Sequence, residues 1–313
     1  MSIETSPNTP NPNSRRGGSD KKLTGIPRKG QLVMLVSPAA IWLLVLLVLP
    51  LITLIVLSFQ KSAFGADSEV FTTASYVNFF QNNIYQRLLL RSLWIALLVA
   101  VISIVLAYPV AYFLAFKAGD KQSFLLNLMI IPAWTSFLLR VLAWRVILGS
   151  NGLLNTFLIW LGVIQEPITG LFYSTEAVII TLVYIWIPFA ALPIYVALQR
   201  IEPGLMEAAS DLGARPWQAF LRVTLPLSLP GVFAAFLYVF IPTIGEYVTP
   251  AMVGGPNGLM IGNIIWDQFA RGLDWPMGAT LSLVVMLIVT IPLIFMAKAA
   301  QQGGYLGGGK SGT

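Results

Sequence analysis

The chain contains 313 residues, of which 57% are hydrophobic and 10% charged, and its mean hydropathy is +0.78. Soluble domains carry roughly 25% charged residues, so this composition excludes an ordinary water-soluble protein and indicates an integral membrane protein. The sequence has no cysteine and no histidine, which excludes disulfides, thiol nucleophiles, imidazole bases and His/Cys metal sites. We therefore predict neither a catalytic residue nor a metal site in this chain.

The N-terminal region begins with a polar segment and continues into a long apolar run. Residues 1–30 are basic and rich in Ser, Asn, Pro and Gly; they cannot bury enough apolar surface to offset ordering, so we predict a disordered cytoplasmic tail. Residues 31–91 then hold a first transmembrane helix over Met34–Phe59 and an outer loop. That run exceeds the roughly 7–15 apolar residues of a signal peptide, so we expect it to stay in the membrane.

Residues 92–297 contain five further apolar segments, each near the roughly 20 residues that a helix needs to cross a bilayer. They are Ser92–Phe116, Phe124–Ile147, Val178–Leu198, Gly231–Met252 and Gly278–Ala297. The chain is therefore predicted to be an all-α membrane protein with six transmembrane helices. A shorter run, Leu153–Ile164, is expected as a helix at the outer interface, or alternatively as a re-entrant segment. Prolines inside the spans mark expected kinks, among them Pro109, Pro188, Pro193 and Pro242.

The distribution of Lys and Arg predicts the orientation. With the N-terminus inside, 13 of them lie in inner segments and 6 in outer segments, which places both termini in the cytoplasm by the positive-inside rule. The last segment, 298–313, is then a Gly-rich cytoplasmic tail. Its stretch 304–311 matches the phosphate-loop pattern G-x-x-x-x-G-K-[ST], but a membrane span precedes it where a phosphate loop follows a strand. We interpret it as a flexible tail.

The largest inner loop, 199–230, contains a predicted helix–turn–helix. Pro203 suits the first turn of a helix, and an amphipathic helix is expected over Leu205–Leu212. Gly213 permits a tight turn, and Pro216 starts a second helix that runs through Val223 and ends at Leu225–Pro226. From the residues alone, this loop is either a docking element or an ordinary amphipathic connection resting on the membrane surface.

This loop resembles the EAA motif of the permeases of ABC importers, the binding-protein-dependent transport family. The pattern EAA-x3-G-x9-I-x-LP is matched by Glu207, Ala208, Ala209, Gly213, Leu225 and Pro226, with Val223 in place of Ile. The resemblance implies the type I importer permease fold, and it implies that the loop carries coupling helices that insert into a separate ATPase subunit. In that assignment the two alanines allow close approach, Gly213 makes the turn, and Glu207 pairs with a basic residue of the ATPase.

Other segments look like the spermidine/putrescine branch of this family. The likeness lies in Ile131–Arg140, Asn151–Asn155, Met260–Asn263 and Arg271–Pro276, and together with the loop it covers most of residues 34–297. The implied function is the membrane subunit of an ATP-driven polyamine importer in the bacterial inner membrane. Its implied partners are a second, different permease chain that completes the pathway, a dimer of ATP-binding subunits and an extracytoplasmic binding protein. ATP and Mg²⁺ would be bound by the ATPase, and this chain would hold no cofactor.

Glu246 is the carboxylate that falls within a predicted span. Such residues usually face a cavity, pair with a cation or serve transport, and Pro242 and Gly245 can open the helix before it. Because polyamines need carboxylates for their charges and aromatic faces for cation–π contact, we predict that Glu246, Tyr247 and Trp134 contribute to the substrate pathway. The alternatives are a Glu that reaches the outer interface, or a structural ion pair with Arg140 or Arg145.

Two aspartates of the last outer loop, Asp267 and Asp274, are candidates for contact with substrate or a delivery protein, although a solvated loop explains them equally. Three alternative functions also stay open. The same machinery can carry another solute, such as iron, thiamine or an anion. A stand-alone secondary transporter is less favoured, because no internal repeat is visible. A membrane enzyme is disfavoured, because no close carboxylate pair lies within the spans.

Overall fold

The computed structural model describes residues 29–61, 70–168 and 170–302. The predicted tails up to residue 28 and beyond residue 302, including the Gly-rich pattern, lie outside these ranges. The described chain is helical apart from one isolated antiparallel bridge between Gln60 and Phe71. Its α-helices are α1 Lys29–Ser58, α2 Ala74–Gln81, α3 Asn83–Phe116, α4 Gln122–Ile130, α5 Phe137–Leu148, α6 Leu153–Trp160, α7 Thr175–Gln199, α8 Pro203–Asp211, α9 Pro216–Ala219, α10 Leu225–Ile244, α11 Gly255–Gly258, α12 Ile261–Ala270 and α13 Trp275–Gln302.

The chain divides into two units, residues 1–52 and residues 53–313. The described part of the first unit belongs to α1. Its side chains from Val36 onward are almost entirely apolar, and large ones such as Trp42, Leu43 and Leu47 are more than half exposed. An apolar helix exposed in this way is typical of a membrane anchor.

Helices α3, α7 and α10 form the centre of the second unit. Their contacts combine larger apolar residues with completely buried alanines, such as Ala107 on α3, Ala190 on α7 and Ala235 on α10. At the contact of α7 with α10, a Cβ added to Gly231 would lie 2.6 Å from the Pro193 carbonyl oxygen. Small residues let helix backbones approach closely, which is the usual basis of helix packing in membranes.

Five helical segments are long and apolar enough to cross a membrane: Val36–Ser58, Asn83–Phe116, Phe137–Trp160, Thr175–Gln199 and Pro216–Ile244. The sixth predicted span lies in α13, where Trp275–Ile291 is a shorter apolar stretch. The prediction of an all-α membrane architecture is confirmed.

The third predicted span, Phe124–Ile147, was wrong as a single helix. It consists of α4, a 3₁₀ turn over Ile131–Trp134 and α5. Pro132 supplies no N–H to the turn, and Thr135 and Ser136 are extended, with ψ of 153° and 131°. The long apolar segment runs instead through α5 and α6, so the expected short helix after residue 152 is present as α6, and its placement at an interface stays a prediction.

The fifth predicted span, Gly231–Met252, was wrong at both ends. The helix begins earlier and stops at Ile244, where Gly245 is the C-cap residue. The chain re-enters a helical conformation at Val248 and forms a π-helical turn over Pro250–Gly254. Glu246 therefore lies in a break, and the sequence-based expectation that the helix opens just before it is confirmed.

Candidate functional site

The first arm of the 199–230 loop is α8, Pro203–Asp211, where a helix over Leu205–Leu212 was expected, and Pro203 lies in its first turn. Glu202 occupies the N-cap position, and Pro203 needs no N–H acceptor at the first turn. Glu207 and Ala208 are exposed, whereas Ala209 is half-buried. The acidic residue of the motif is thus presented on the surface, where a partner can reach it.

Gly213 ends this arm in a Schellman motif. Its φ is +81°, its N–H donates to the Ser210 carbonyl at 2.9 Å, and the Ala214 N–H donates to the Ala209 carbonyl at 3.0 Å. These two bonds satisfy carbonyls that a helix end leaves without partners. A positive φ favours glycine because a Cβ is disfavoured there, so the glycine that the motif specifies at this position has a direct backbone cause.

The second arm begins at Pro216, as predicted, but does not end at Leu225–Pro226. It passes from α9 through a π-helical turn over Phe220–Thr224 directly into α10. The Leu225 N–H donates to the Phe220 carbonyl, which is the five-residue spacing of a π-helix. With this spacing the helix continues past Pro226, although Pro226 has no N–H to donate. The prediction of a short second helix was therefore wrong, and one continuous helix connects the loop to Ile244.

Aromatic packing fixes the second arm against α3. The Phe220 ring meets Tyr108 at 5.6 Å and Tyr112 at 6.0 Å, both edge to face, which is a favourable geometry for aromatic pairs. The Tyr108 hydroxyl and the Ser228 Oγ are hydrogen-bonded at 2.8 Å. The sequence analysis assigned no role to Phe220, which the EAA pattern leaves unspecified.

The two arms are tied together through Thr224, which is buried. Its Oγ1 donates to the Met206 sulfur at 3.0 Å, joining α8 to the start of α10. The neighbouring motif residues Val223, Leu225 and Pro226 are half-buried. These apolar side chains therefore pack within the second arm, and other residues of the loop are the exposed ones.

The two most exposed large apolar residues of the loop are Leu212, 89% exposed, and Trp217, 58% exposed, on the two sides of the Gly213 turn. Large apolar side chains on an otherwise polar connection are typical of an interaction surface. Neither residue belongs to the EAA pattern, so sequence reasoning missed them. The sequence feature that could have identified them is the pair of bulky apolar residues on either side of a turn glycine.

The second candidate site is the break Gly245–Tyr247. Glu246 is half-buried, and its Oε1 accepts hydrogen bonds from the backbone N–H groups of Val248 at 2.8 Å and Thr249 at 3.1 Å. The carboxylate thus caps the helical segment that follows, where a negative charge is favoured. Within the described residues no ion pair joins Glu246 to Arg140 or Arg145, so that structural alternative was wrong.

Helix α12 braces this break. The Asn263 side chain donates to the Tyr247 carbonyl at 2.8 Å and accepts from the Met260 N–H at 3.0 Å. A Cβ on Gly262 would lie 2.6 Å from the Gly245 carbonyl oxygen, so only glycine allows this approach. The segment 260–263, noted in the sequence for its family likeness, therefore has a packing role against the break.

Tyr247 stacks on Trp266 with ring centroids 4.9 Å apart and an interplanar angle of 11°. Tyr247 is 36% exposed and Trp266 47% exposed, so the pair offers ring surface beside the Glu246 carboxylate. Stacked aromatic faces near a carboxylate suit an organic cation. Sequence reasoning named Tyr247 but missed Trp266, because the 18 residues between them conceal the pairing.

The other predicted residues stand apart from this pair. Trp134 is 85% exposed at the end of its 3₁₀ turn, and within the described chain no hydrogen bond or ring contact joins it to Glu246 or Tyr247. Asp267 lies 3.6 Å from Arg271 in an exposed pair. Asp274 Oδ1 accepts from the Met277 N–H at 3.1 Å and caps α13, a structural role that the sequence analysis had not assigned.

Comparison with known proteins identifies the family. Residues 107–302 match the family described as the binding-protein-dependent transport system inner membrane component. The chain is 38% identical over 261 residues to the spermidine/putrescine transport system permease protein PotB of Escherichia coli (strain K12), covering 83% of this chain and 94% of the relative. It is 35% identical over 264 residues to PotB of Haemophilus influenzae, covering 83% and 91%.

A solved structure agrees at the level of the fold. A chain of a bacterial ABC transporter that imports alginate superimposes with a TM-score of 0.66 at 19% identity, covering 87% of this chain and 95% of that one. The type I importer permease fold expected from the EAA resemblance is therefore confirmed. The chain belongs to the family of binding-protein-dependent transport system inner membrane components, the permease subunits of ABC importers.

Proposed function

We propose that this chain is a permease subunit of a polyamine importer and forms half of its translocation pathway. The observation that carries the proposal is the break after α10, where a half-buried carboxylate stands beside an exposed, stacked Tyr–Trp pair. Ammonium groups and methylene chains suit a carboxylate and aromatic faces respectively. The similarity to two PotB proteins over 83% of the chain supports the same substrate class.

The coupling role is assigned to the tip of the 199–230 loop. Leu212 and Trp217 would enter an apolar groove of an ATP-binding subunit, while exposed Glu207 would pair with one of its basic residues. The ATPase dimer would bind ATP and Mg²⁺ and perform the hydrolysis. Because α9 continues into α10, movement of the docked loop would reach the Gly245–Tyr247 break along one helix.

The assembly that we propose contains four kinds of chain. This permease pairs with a second, related but different permease, and both bind the ATPase dimer on the cytoplasmic side. An extracytoplasmic binding protein delivers the substrate at the other side, where Asp267 is an exposed candidate for contact. The complex lies in the bacterial inner membrane, and both termini of this chain face the cytoplasm, as the excess of inner Lys and Arg indicates.

At the substrate pathway, Glu246 supplies the negative charge and Tyr247 with Trp266 the ring surface. Trp134 is proposed as a contributor from a separate segment. The change Glu246→Gln keeps an oxygen that can accept from Val248 and Thr249 but removes the charge. We therefore expect this variant to assemble normally and to lower polyamine uptake by about tenfold or more, because a charge-assisted contact is worth about 1.5–3 kcal/mol.

The experiment reconstitutes the complete complex and measures ATP-dependent uptake of radiolabelled spermidine and putrescine, with iron, thiamine and 2-aminoethylphosphonate as comparison solutes. Uptake restricted to the polyamines supports the proposal, whereas uptake of another solute alone would assign a different cargo to the same machinery. Uptake by this chain without an ATPase would indicate a secondary transporter. Unchanged uptake kinetics in Glu246→Gln would remove Glu246 from the pathway.

A further inference from the structure

A second aromatic cluster lies deeper in the spans, between α7 and α10. We call Trp186, Phe189 and Tyr238 the aromatic triad. The ring centroids of Trp186 and Phe189 are 5.7 Å apart, those of Phe189 and Tyr238 5.9 Å, and those of Trp186 and Tyr238 6.2 Å. Each ring therefore touches the other two. Trp186 and Phe189 are half-buried and Tyr238 is 53% exposed, so the triad keeps ring surface that the described part of the chain leaves open.

Prolines remove one helical hydrogen bond from a backbone carbonyl of two triad members. Pro193 follows Phe189 by four residues, and Pro242 follows Tyr238 by four residues. Because proline has no N–H, neither carbonyl receives the usual hydrogen bond from four residues ahead. Among the described residues no side chain donates to either carbonyl. Two triad members thus combine an aromatic ring with a backbone acceptor on adjacent helices.

A polar donor adds to this arrangement, since the Trp186 indole Nε1 is buried and has no hydrogen-bond partner in the described chain. Both helices are apolar and of membrane-spanning length. Unsatisfied polar groups at membrane depth are tolerated where they are buried in protein or line a water-filled cavity, and not where they face lipid. These groups are therefore expected to lie in a protein-covered or water-filled space rather than to face lipid, a setting that the pathway between the two permease halves would supply.

Rings and neutral carbonyls together suit an organic cation. The rings attract an ammonium group and cover the methylenes beside it, and the carbonyl oxygens accept its N–H donors in place of water. Because the rings and carbonyls of the triad carry no formal charge, binding there is weaker than at Glu246, and a transported ion must leave each site as readily as it enters. Tyr238 precedes the end of α10 at Ile244 by six residues, or about 9 Å along the axis at 1.5 Å per residue.

We propose that the aromatic triad, with the carbonyls of Phe189 and Tyr238, is a second station for alkylammonium groups, below the Gly245–Tyr247 break on the way to the cytoplasm. The inference rests on the proposed function, because it requires an organic cation as cargo. It assigns a transport role to side chains that a membrane helix ordinarily uses for packing.

The test uses four variants of the full complex in proteoliposomes, with the binding protein present and radiolabelled spermidine as probe. Phe189→Leu and Tyr238→Leu remove rings, Tyr238→Phe keeps the ring, and Trp94→Leu is the matched control. Trp94 is an aromatic residue of membrane helix α3, and its exposed fraction of 59% is similar to the 53% of Tyr238. It has no ring contact among the described residues. Tyr238→Met provides a second ring-free side chain if Tyr238→Leu fails to assemble.

We expect spermidine uptake to fall about tenfold in each ring-free triad variant, equivalent to about 1.4 kcal/mol. Tyr238→Phe and Trp94→Leu should transport like the unmodified complex. ATP hydrolysis stimulated by the binding protein should persist in all variants that assemble, so fewer spermidine molecules cross per ATP. A purely structural triad would instead lower assembly and hydrolysis together.

The inference is overturned by normal spermidine uptake in the ring-free variants, by an equal loss in Trp94→Leu, or by Tyr238→Phe transporting as poorly as Tyr238→Leu. Failure of the proposed function looks different. In that case the unmodified complex moves no spermidine, while its ATPase still responds to another solute.

Discussion

The left-handed turn at Gly213 predicts a specific defect for Gly213→Ala. An L-residue in this conformation costs about 1–2 kcal/mol relative to its preferred region. The added Cβ would meet no atom within 4 Å, so steric contacts contribute nothing and the cost is purely conformational. A cost of this size lowers the population of the observed turn by a factor of about 5–30. The two Schellman bonds and the positions of Leu212 and Trp217 depend on that turn.

The assay is capture of the ATP-binding subunit by affinity-tagged permease, combined with the rate of ATP hydrolysis by the captured complex. We expect Gly213→Ala to reduce both by about 5- to 30-fold at limiting ATPase concentration, in line with the lost population. Capture and hydrolysis by Gly213→Asn should lie between those of the unmodified chain and those of Gly213→Ala, because asparagine tolerates the left-handed region better than alanine.

Gly204→Ala is the matched control. Gly204 lies in α8 of the same loop, and a Cβ there also meets nothing within 4 Å, but its φ is not positive. Alanine is favoured over glycine in a helix by about 0.5–1 kcal/mol, so capture should be unchanged or slightly improved. Normal capture by Gly213→Ala, or an equal loss in Gly204→Ala, would refute the argument from the backbone conformation.

Three further substitutions test the supports of the fold by thermal unfolding of the purified chain. Gly262→Ala should be strongly destabilising and lower the yield of folded protein, because its Cβ would lie 2.6 Å from the Gly245 carbonyl oxygen; a normal midpoint would mean that α12 does not need this approach. Asp274→Ala should cost about 1 kcal/mol by removing the cap of α13, whereas Asp274→Asn should retain most of it. Asn155→Ala should lower the free energy of unfolding by about 1–3 kcal/mol or more, because its buried side chain accepts from the Ile168 N–H and donates to nearby carbonyls. These are the carbonyls of Gly149, Ser150 and Ile168. Asn155→Asp cannot donate to them and should be no more stable than Asn155→Ala.

Much of the 199–230 loop was predictable from sequence because its determinants are local. Pro203 starts a helix, Gly213 turns the chain and Pro216 starts the next helix, and each acts through its own backbone. The end of the second arm was not predictable in this way. Pro226 looks like a stop signal, but a π-helical turn supplies a different hydrogen-bond spacing, and packing of Phe220 on Tyr108 and Tyr112 holds that turn in place.

The composition that excluded a soluble protein, the long apolar segments and the EAA pattern were determined by the sequence alone, because hydropathy and backbone preference act within one helix or turn. Tertiary structure decided which side chains meet. In the folded chain Tyr247 stacks on Trp266, and Gly262 packs against the break at Glu246. The aromatic triad is formed by side chains from two helices, α7 and α10. These contacts join residues that are distant in the chain, and they depend on close approach of backbones at small residues, Gly262 against the break and Gly231 between α7 and α10.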